Sequence, residues 1–333
     1  MVSDSRSELA VIGAGAWGTT LANHIAQTGR PTLIWAFEKE VCDEINSNHT
    51  NPVYLEGCRL HESLKATNDL SDLSDINRLI IAIPSKFFAR SVKGLNDLVS
   101  KDCLIVSATK GFIDDTLRRP SDHLKELLPE NPIGVLSGPN LSREVSMGLP
   151  AISLVASEEH SLVREFQDIL STERFRVYGG SDVAGTELGG ALKNIMAIAA
   201  GMSDGLGLGE NALAALITRG LAEMIKLGGL FGADERTFFG ISGLGDLVCT
   251  SQSRLSRNQQ VGRRIALGES LDEILTDMTA VAEGVETTRH VHEYAVQNNV
   301  ELPITGSVHN ILFEKADPSE AIRNLMTRTL KME

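Results

Sequence analysis

The sequence predicts an α/β domain with a doubly wound, mostly parallel sheet, followed by an all-α domain. Three observations carry that expectation. The apolar run Leu9 to Ile12 leads into the glycine turn GAGAWG at Gly13 to Gly18, and then into helical spacing at Leu21, Ile25 and Ala26. Short apolar runs alternate with amphipathic stretches as far as Tyr178. After Tyr178 the strand pattern stops and helical periodicity takes over. The boundary falls near Gly180, giving domains of residues 1–180 and 181–333, and the 333-residue chain is long enough for two cores.

In the opening unit, Gly13, Gly15 and Gly18 occupy the positions of a GxGxxG turn around Ala16 and Trp17. The first glycine makes the turn, the second lets backbone meet a pyrophosphate, and the third lets helix pack on strand, with the helix N-terminus facing the anion. A purely structural glycine turn is the competing reading. The second strand, Thr32 to Ala36, ends before Phe37 and Glu38. Glu38 stands about 20 residues past Gly18, where an acid binds the adenosine ribose hydroxyls of NAD. Its bland alternative is a solvated acid, as for nearby Glu40.

Leu79 to Ile83 and Cys103 to Ala108 read as strands, with the amphipathic stretch Lys86 to Val99 between them. Ligands of open α/β sheets bind outside the carboxyl ends of the strands, so Lys110 in Thr109-Lys110-Gly111 faces a ligand unless it is plain surface. Ile133 to Ser137, Ile152 to Ala156 and Phe175 to Tyr178 extend the sheet. The first of these ends in SGPNLSREV, where Gly138 and Pro139 turn the chain and the amides of Asn140, Leu141 and Ser142 open onto a ligand or form an ordinary turn.

The helical half is organised around Ala184 to Gly201, which is apolar on every side and carries Lys193 in its middle. Desolvation lowers a lysine pKa and fits it for acid–base work; the alternative is a stem lying on apolar surface with its ammonium in water. Gly189, Gly190, Ala197, Ala200 and Gly201 keep the helix thin enough for close approach. Met202 to Glu210 reads as a glycine-rich loop, either a flexible connection or a segment that orders over substrate. Ser256 reads as an N-cap, and with Arg257 and Asn258 in the following turn it makes an anion pocket suited to a phosphate. Asp246 accepts from substrate or from Lys193, or merely braces its turn, and Glu283 reads as a solvated acid opening another helix.

A net charge of -13 argues against a nucleic-acid partner, though a small anion needs only a local basic cluster. Cys42, Cys58, Cys103 and Cys249 lack metal-site spacing, and His290 and His292 point to different helix faces, so no metal site is expected. Free thiols, a polar start without a secretory signal and the lack of a membrane span point to the cytoplasm.

GAGAWGTTLA, SATKG, SGPNLSREV, ELGGALKNIMAIAAGMSDGLGLGENALAALITRGLAEM, GLGDLV, SRNQQVG and AEGVET occur in this order. On these blocks the chain resembles the soluble NAD(P)-dependent sn-glycerol-3-phosphate dehydrogenases from about residue 8 to about 325. The resemblance implies a Rossmann domain and an all-helical domain, a homodimer, and interconversion of sn-glycerol 3-phosphate with dihydroxyacetone phosphate by hydride transfer at C2. In bacteria-like members the reduction feeds phospholipid synthesis. It implies that Lys193 is the catalytic lysine, exchanging a proton with the C2 oxygen, and that Lys110 touches substrate and cofactor. Gly138 and Asn140 fall on substrate contacts, Asn140 replacing the usual hydroxyl residue. Asp246, Ser256, Arg257 and Asn258 match the substrate and phosphate pocket. Trp17, Ser142, Arg257 and Glu283 match cofactor contacts, Ser142 in place of the usual Ala.

Many bacterial members carry an Arg after the second strand that suits the 2'-phosphate of NADP, whereas this chain reads Trp35-Ala36-Phe37-Glu38. Phe37 cannot pair with that phosphate and Glu38 repels it, so NAD is the expected choice over NADP. Two other readings share parts of the pattern. One is a dehydrogenase of the same architecture acting on a β-hydroxy acid or on 6-phosphogluconate; the other is a binding protein that senses NAD.

Overall fold

The structure is a computed structural model that describes residues 9–278, 281–327 and 329. The first half runs β1 (Leu9–Ile12), α1 (Ala16–Gln27), β2 (Thr32–Trp35), α2 (Lys39–Asn48), β3 (Leu64–Thr67) and β4 (Arg78–Ile81). It continues through α3 (Ser85–Ser91), β5 (Leu104–Ser107), α4 (Pro120–Leu127), β6 (Ile133–Ser137), α5 (Ser142–Ser146), β7 (Ala151–Ser157), α6 (His160–Leu170) and β8 (Phe175–Gly180). The second half is helical: α7 (Val183–Gly205), α8 (Gly209–Leu230), α9 (Glu235–Phe238), α10 (Asp246–Gln252) and α11 (Arg257–Ala266). It ends with α12 (Leu271–Asp277), α13 (Glu283–Gln297), α14 (Pro303–Glu314) and α15 (Pro318–Met326).

All eight strands join one sheet in the order β3-β2-β1-β4-β5-β6-β7-β8. The order reverses direction between β1 and β4, and β6–β7 is the antiparallel pairing. β1 sits in the middle with every residue buried, because helices cover both faces of a parallel sheet. On one face Leu21, Ile25, Ile45, Phe166 and Leu170 pack against Val11, Ile34 and Ile80; on the other Phe88, Leu95 and Leu124 pack against Ile12, Leu79 and Ile105. α6 shows how the pattern works: Leu162, Val163, Phe166, Ile169 and Leu170 recur at helical spacing and are its buried residues.

α7 is the axis of the second half. Almost every residue from Val183 to Ser203 is buried, and α8, α10, α11, α13 and α14 all pack on it. Its glycines are where neighbours come closest. A methyl group on Gly201 would collide with the Gln259 carbonyl, and one on Gly262 of α11 with the Ile198 carbonyl, so α7 and α11 cross with backbones in contact.

Three local features add to or correct the sequence pattern. β3, the sequence LKAT, was not anticipated: it is an edge strand with Lys65 exposed, so it lacks an apolar run. The amphipathic stretch Lys86 to Val99 falls into two pieces, because Gly94 at φ +90° separates α3 from a short 3-10 turn at Leu95–Asp97. The glycine-rich stretch Met202 to Glu210 is mostly helix: α7 continues to Gly205 and α8 starts at Gly209. The connection left over lies about 20 Å along α7 from Lys193, too far to close over it.

Candidate active site

The glycine turn separates three steric roles. A side chain at Gly13, φ +111°, would lie 2.6 Å from the Ala82 carbonyl oxygen, and one at Gly18 would collide with the Gly13 carbonyl. At Gly15 nothing lies within 4 Å, so this backbone is open to a ligand. Gly15 caps α1 without a side-chain bond, which leaves the first amides of α1, at Ala16 and Trp17, available to an anion. This cradle fits a dinucleotide pyrophosphate. The Trp17 indole turns inward instead, its Nε1 buried and its ring 6.5 Å from that of Phe175.

The other contributors gather at the same carboxyl edge. Thr109 after β5 donates to the Ile83 carbonyl after β4 at 2.8 Å, and Gly13 packs on Ala82 and Ile83. Ser85, which opens α3, gives its amide at 2.9 Å and its hydroxyl at 2.5 Å to the two oxygens of Glu283. Glu283 therefore caps a helix of the first half from the start of α13 in the second. Enclosure raises its pKa although the residue keeps a partly open edge, and the Ser85 bonds and Arg257 pull it back. The sequence reading of Glu283 as a solvated acid does not survive; its alternative, a cofactor contact, is compatible with its place beside Gly111 and Ser85.

Between the halves lies a charge cluster centred on Asp246, which is 1% exposed. Lys193 Nζ donates to Oδ1 at 2.8 Å and to the Thr250 hydroxyl at 2.5 Å. Lys110 Nζ donates to Oδ2 at 2.6 Å and to the Gly138 carbonyl at 2.9 Å. Asp246 follows a π-helical turn at Ile241–Gly245, a helical irregularity that re-aims the residues after it. This turn meets α7 at Gly189, where a methyl would lie 2.6 Å from the Ser242 carbonyl oxygen. Gly190, one residue on, leaves room for Lys110 and for Ser137, whose buried hydroxyl has no partner among the described residues.

Burial lowers the Lys193 pKa to about 8, against the pull of Asp246 and with the push of Lys110. Burial alone would raise Asp246; Lys110 and then Lys193 outweigh it, and its carboxyl ends below the usual range. The product is an ammonium able to release its proton near neutral pH, held beside an acid that stays charged.

Ser256 caps α11, its hydroxyl accepting from the Gln259 amide at 3.3 Å. The Arg257 side chain stands exposed at that helix start in the field of Glu283, whose pull opposes the lowering of its pKa by enclosure, and its N–H groups make no hydrogen bond among the described residues, so they can meet an anion. Asn258 is braced from two sides: one N–H of its amide donates to Asn194 at 2.9 Å and its oxygen accepts from the Gly284 amide at 3.0 Å, which leaves a second N–H. Asn140 likewise turns to β7, donating to the Ile152 carbonyl at 2.9 Å and accepting from Ser153 at 3.0 Å. Ser142 opens α5 behind the glycine turn, its carbonyl accepting from Thr20 at 3.3 Å. Glu38 accepts from Tyr54 at 2.9 Å, and Phe37 is exposed beside it.

The sequence gives no role to Thr250, Ser85, Asn51 or Tyr54, although Ser85 follows a strand at the carboxyl edge. Thr250 had a signal, since it lies one helical turn beyond Asp246 on the same face. The others are ordinary polar residues whose partners are remote in sequence.

A doubly wound sheet with an open glycine cradle, followed by a helical region that brings a desolvated lysine to the strand ends, defines a nicotinamide-dependent oxidoreductase. Comparison narrows the class. NAD-dependent glycerol-3-phosphate dehydrogenase N-terminus matches residues 8–163, and the C-terminus of the same family matches residues 182–323. The chain belongs to this family. It is 45% identical to glycerol-3-phosphate dehydrogenase [NAD(P)+] of Syntrophotalea carbinolica, over 98% of this chain and 99% of that one. It is 44% identical to the protein of that name from Citrifermentans bemidjiense, over 98% of each. The crystal structure of glycerol-3-phosphate dehydrogenase from Coxiella burnetii superimposes with a TM-score of 0.92 at 38% identity, covering 96% of this chain and 98% of that one.

Proposed function

We propose that this protein is an NAD(P)-dependent sn-glycerol-3-phosphate dehydrogenase that interconverts sn-glycerol 3-phosphate and dihydroxyacetone phosphate. The observation that carries the reading is Lys193, 6% exposed and anchored by Asp246 at the strand ends. When bound, the nicotinamide supplies the hydride to C2 in reduction and accepts it in oxidation. Lys193 gives its proton to the C2 oxygen as the carbonyl is reduced, and takes it back in the reverse direction. Asp246 and Thr250 fix the ammonium in place, and Lys110, held by Asp246 and Gly138, adds positive charge where the oxygen becomes negative. The open first turn of α11, with Ser256 and Arg257, holds the phosphate, which orients C2. Asn258 supports that turn through Asn194 and Gly284. Gly13, Gly15, Ala16, Trp17, Gly18, Phe37, Glu38, Ser142 and Glu283 line the cofactor side in this proposal, Gly138 the substrate side, and Asn140 braces the Gly138 turn from β7.

The test is the loss of reduced-nicotinamide absorbance on adding dihydroxyacetone phosphate. Consumption that depends on that substrate is expected; no consumption with either NADH or NADPH rejects the reading.

The proposal includes a division into domains near residue 180, where β8 ends and α7 begins. It also includes a homodimer in the cytoplasm, with reduction supplying glycerol 3-phosphate for phospholipid synthesis. An apolar groove of about 690 Å³ between α7, α8, α14 and α15, lined by Met202, Leu216 and Ile311, supports the dimer. Sedimentation at the monomer mass would reject that part. Among the described residues, no helix is long and apolar enough to cross a membrane.

A further inference from the structure

Glu38 is an acid whose carboxylate is already held. It stands in extended backbone at the start of α2, and its Oε1 accepts from the Tyr54 hydroxyl at 2.9 Å. Tyr54 belongs to the loop between α2 and β3, and that loop is fixed at several points. Asn51, 1% exposed, donates to the Ala14 carbonyl inside the glycine turn and to the Thr19 hydroxyl, both at 2.8 Å. Asn51 also accepts from the Tyr54 amide at 3.3 Å, Leu55 is buried in the core, and Thr50 pairs with Arg59 where the loop closes. One loop thus grips both the turn that meets a pyrophosphate and the acid that meets a ribose.

We infer that Tyr54 is a specificity-determining residue. By holding the Glu38 carboxylate in place, it makes the chain select the nicotinamide nucleotide with a free 2'-hydroxyl over the one with a 2'-phosphate. A tethered carboxylate keeps an oxygen free to accept from ribose hydroxyls, and it cannot swing away to relieve its repulsion of a phosphate. An untethered acid can do so. Beyond Phe37, which is 70% exposed, the Arg90 guanidinium lies 4.3 Å over the Phe87 ring and 6.0 Å from that of Phe37. Lys86 Nζ sits 4.6 Å over Phe87. These cations are stacked on rings and form a flat wall suited to adenine, whichever nucleotide carries it. The inference rests on the dinucleotide reading of the site, and Tyr54 acts in it as a positioning residue.

The test measures NADH and NADPH binding without substrate, by nicotinamide fluorescence, for the unmodified protein, Tyr54→Phe, Glu38→Gln and the double variant. The unmodified protein is expected to favour NADH by at least about tenfold, and Tyr54→Phe to narrow that ratio about fivefold. Glu38→Gln removes most of the preference, and the double variant matches Glu38→Gln because Tyr54 works through Glu38. With saturating NADH, kcat for dihydroxyacetone phosphate in Tyr54→Phe stays within about twofold.

Equal binding of both nucleotides by the unmodified protein overturns the inference, as does an equal loss of both in Tyr54→Phe, or additivity in the double variant. Arg90→Ala should weaken both nucleotides alike; a loss confined to NADPH would show Arg90 paired with the 2'-phosphate, and the tethered Glu38 would then not be what sets the choice. If Tyr54→Phe does not fold, an unchanged ratio in Glu38→Gln overturns it. Failure to bind either nucleotide rejects the dinucleotide reading itself, whereas binding of both without a shift in ratio rejects the role of Tyr54 alone.

Discussion

Two acids buried against the same helix end in opposite states. Asp246 meets the middle of α7 and is shared by Lys193 and Lys110, and its pKa lies below the usual carboxylate range. Glu187, on α7 less than two turns before Lys193, takes the amide and hydroxyl of Ser121 and so caps α4. Burial pushes Glu187 up to about 7, although Ser121 and Arg119 pull it back. Both residues are at most 4% exposed, so burial does not separate them. Cation contact does. Two ammoniums repay the desolvation of Asp246 and leave a permanent anion; hydrogen bonds with a more distant guanidinium do not do so for Glu187. One region is thereby equipped for proton transfer and the other for joining the two halves of the fold.

The largest effect expected is on the first region. Lys193→Ala should lower kcat by about 10²-fold or more, the usual scale of lost acid–base catalysis, with NADH binding retained in a fluorescence titration. Lys193→Arg should be nearly as poor, because a guanidinium does not release its proton near neutrality. Activity close to that of the unmodified protein in either variant would remove Lys193 from the chemistry. Asp246→Asn comes next: with two ammoniums left facing each other, unfolding free energy should fall by about 3–5 kcal/mol in a denaturant titration. An unchanged transition would mean that the lysines find other partners, and the contrast with Glu187 would lose its basis.

The Lys193 pKa of about 8 gives a directional test. In reduction the protonated lysine is the donor, so kcat/KM should fall as pH rises through about 8; in oxidation the neutral amine is the acceptor, and the rate should rise over the same interval. Because Asp246 raises the Lys193 pKa, Asp246→Asn should move the inflection to lower pH. Movement to higher pH would contradict the electrostatic assignment. Arg257→Ala should have a smaller and different signature, a raised KM for dihydroxyacetone phosphate with kcat less affected, since it loses one charge-assisted contact to the phosphate.

What could be read in the sequence follows from how local each cause is. The glycine turn is legible because its sterics act within six consecutive residues and one neighbouring strand. Ser256 is legible because an N-cap bonds three residues on. Lys193 stands out as a cation in an apolar helix. Of the roles of Asp246 left open by the sequence, meeting Lys193 is decided by a contact 53 residues away, and Lys110 joins it from 136 residues away. Asn258 and Asn140 read as ligand groups by type and place; what the sequence does not show is that α7, α13 and β7 each take part of their hydrogen bonding. Glu283 looked solvated because nothing near it in the chain reveals that Ser85 waits for it 198 residues earlier.

The smallest effect expected belongs to Glu187, and it sharpens the comparison most. Its folded pKa of about 7 lies above the 4.5 of an ordinary glutamate, so the folded state holds the proton more tightly between those values. The stability from this group is complete below pH 4.5 and is lost as pH rises through about 7. Glu187→Gln, which cannot ionise, should therefore be least stable relative to the unmodified protein at low pH and should regain ground as pH rises towards 8. Thermal unfolding at a series of pH values reads that difference. A constant offset between the two proteins would show Glu187 charged throughout, and a widening deficit at high pH would mean that Arg119 stabilises the anion after all. In either case Glu187 and Asp246 would both be anions in the fold, and direct contact with an ammonium would not be what separates the two acids.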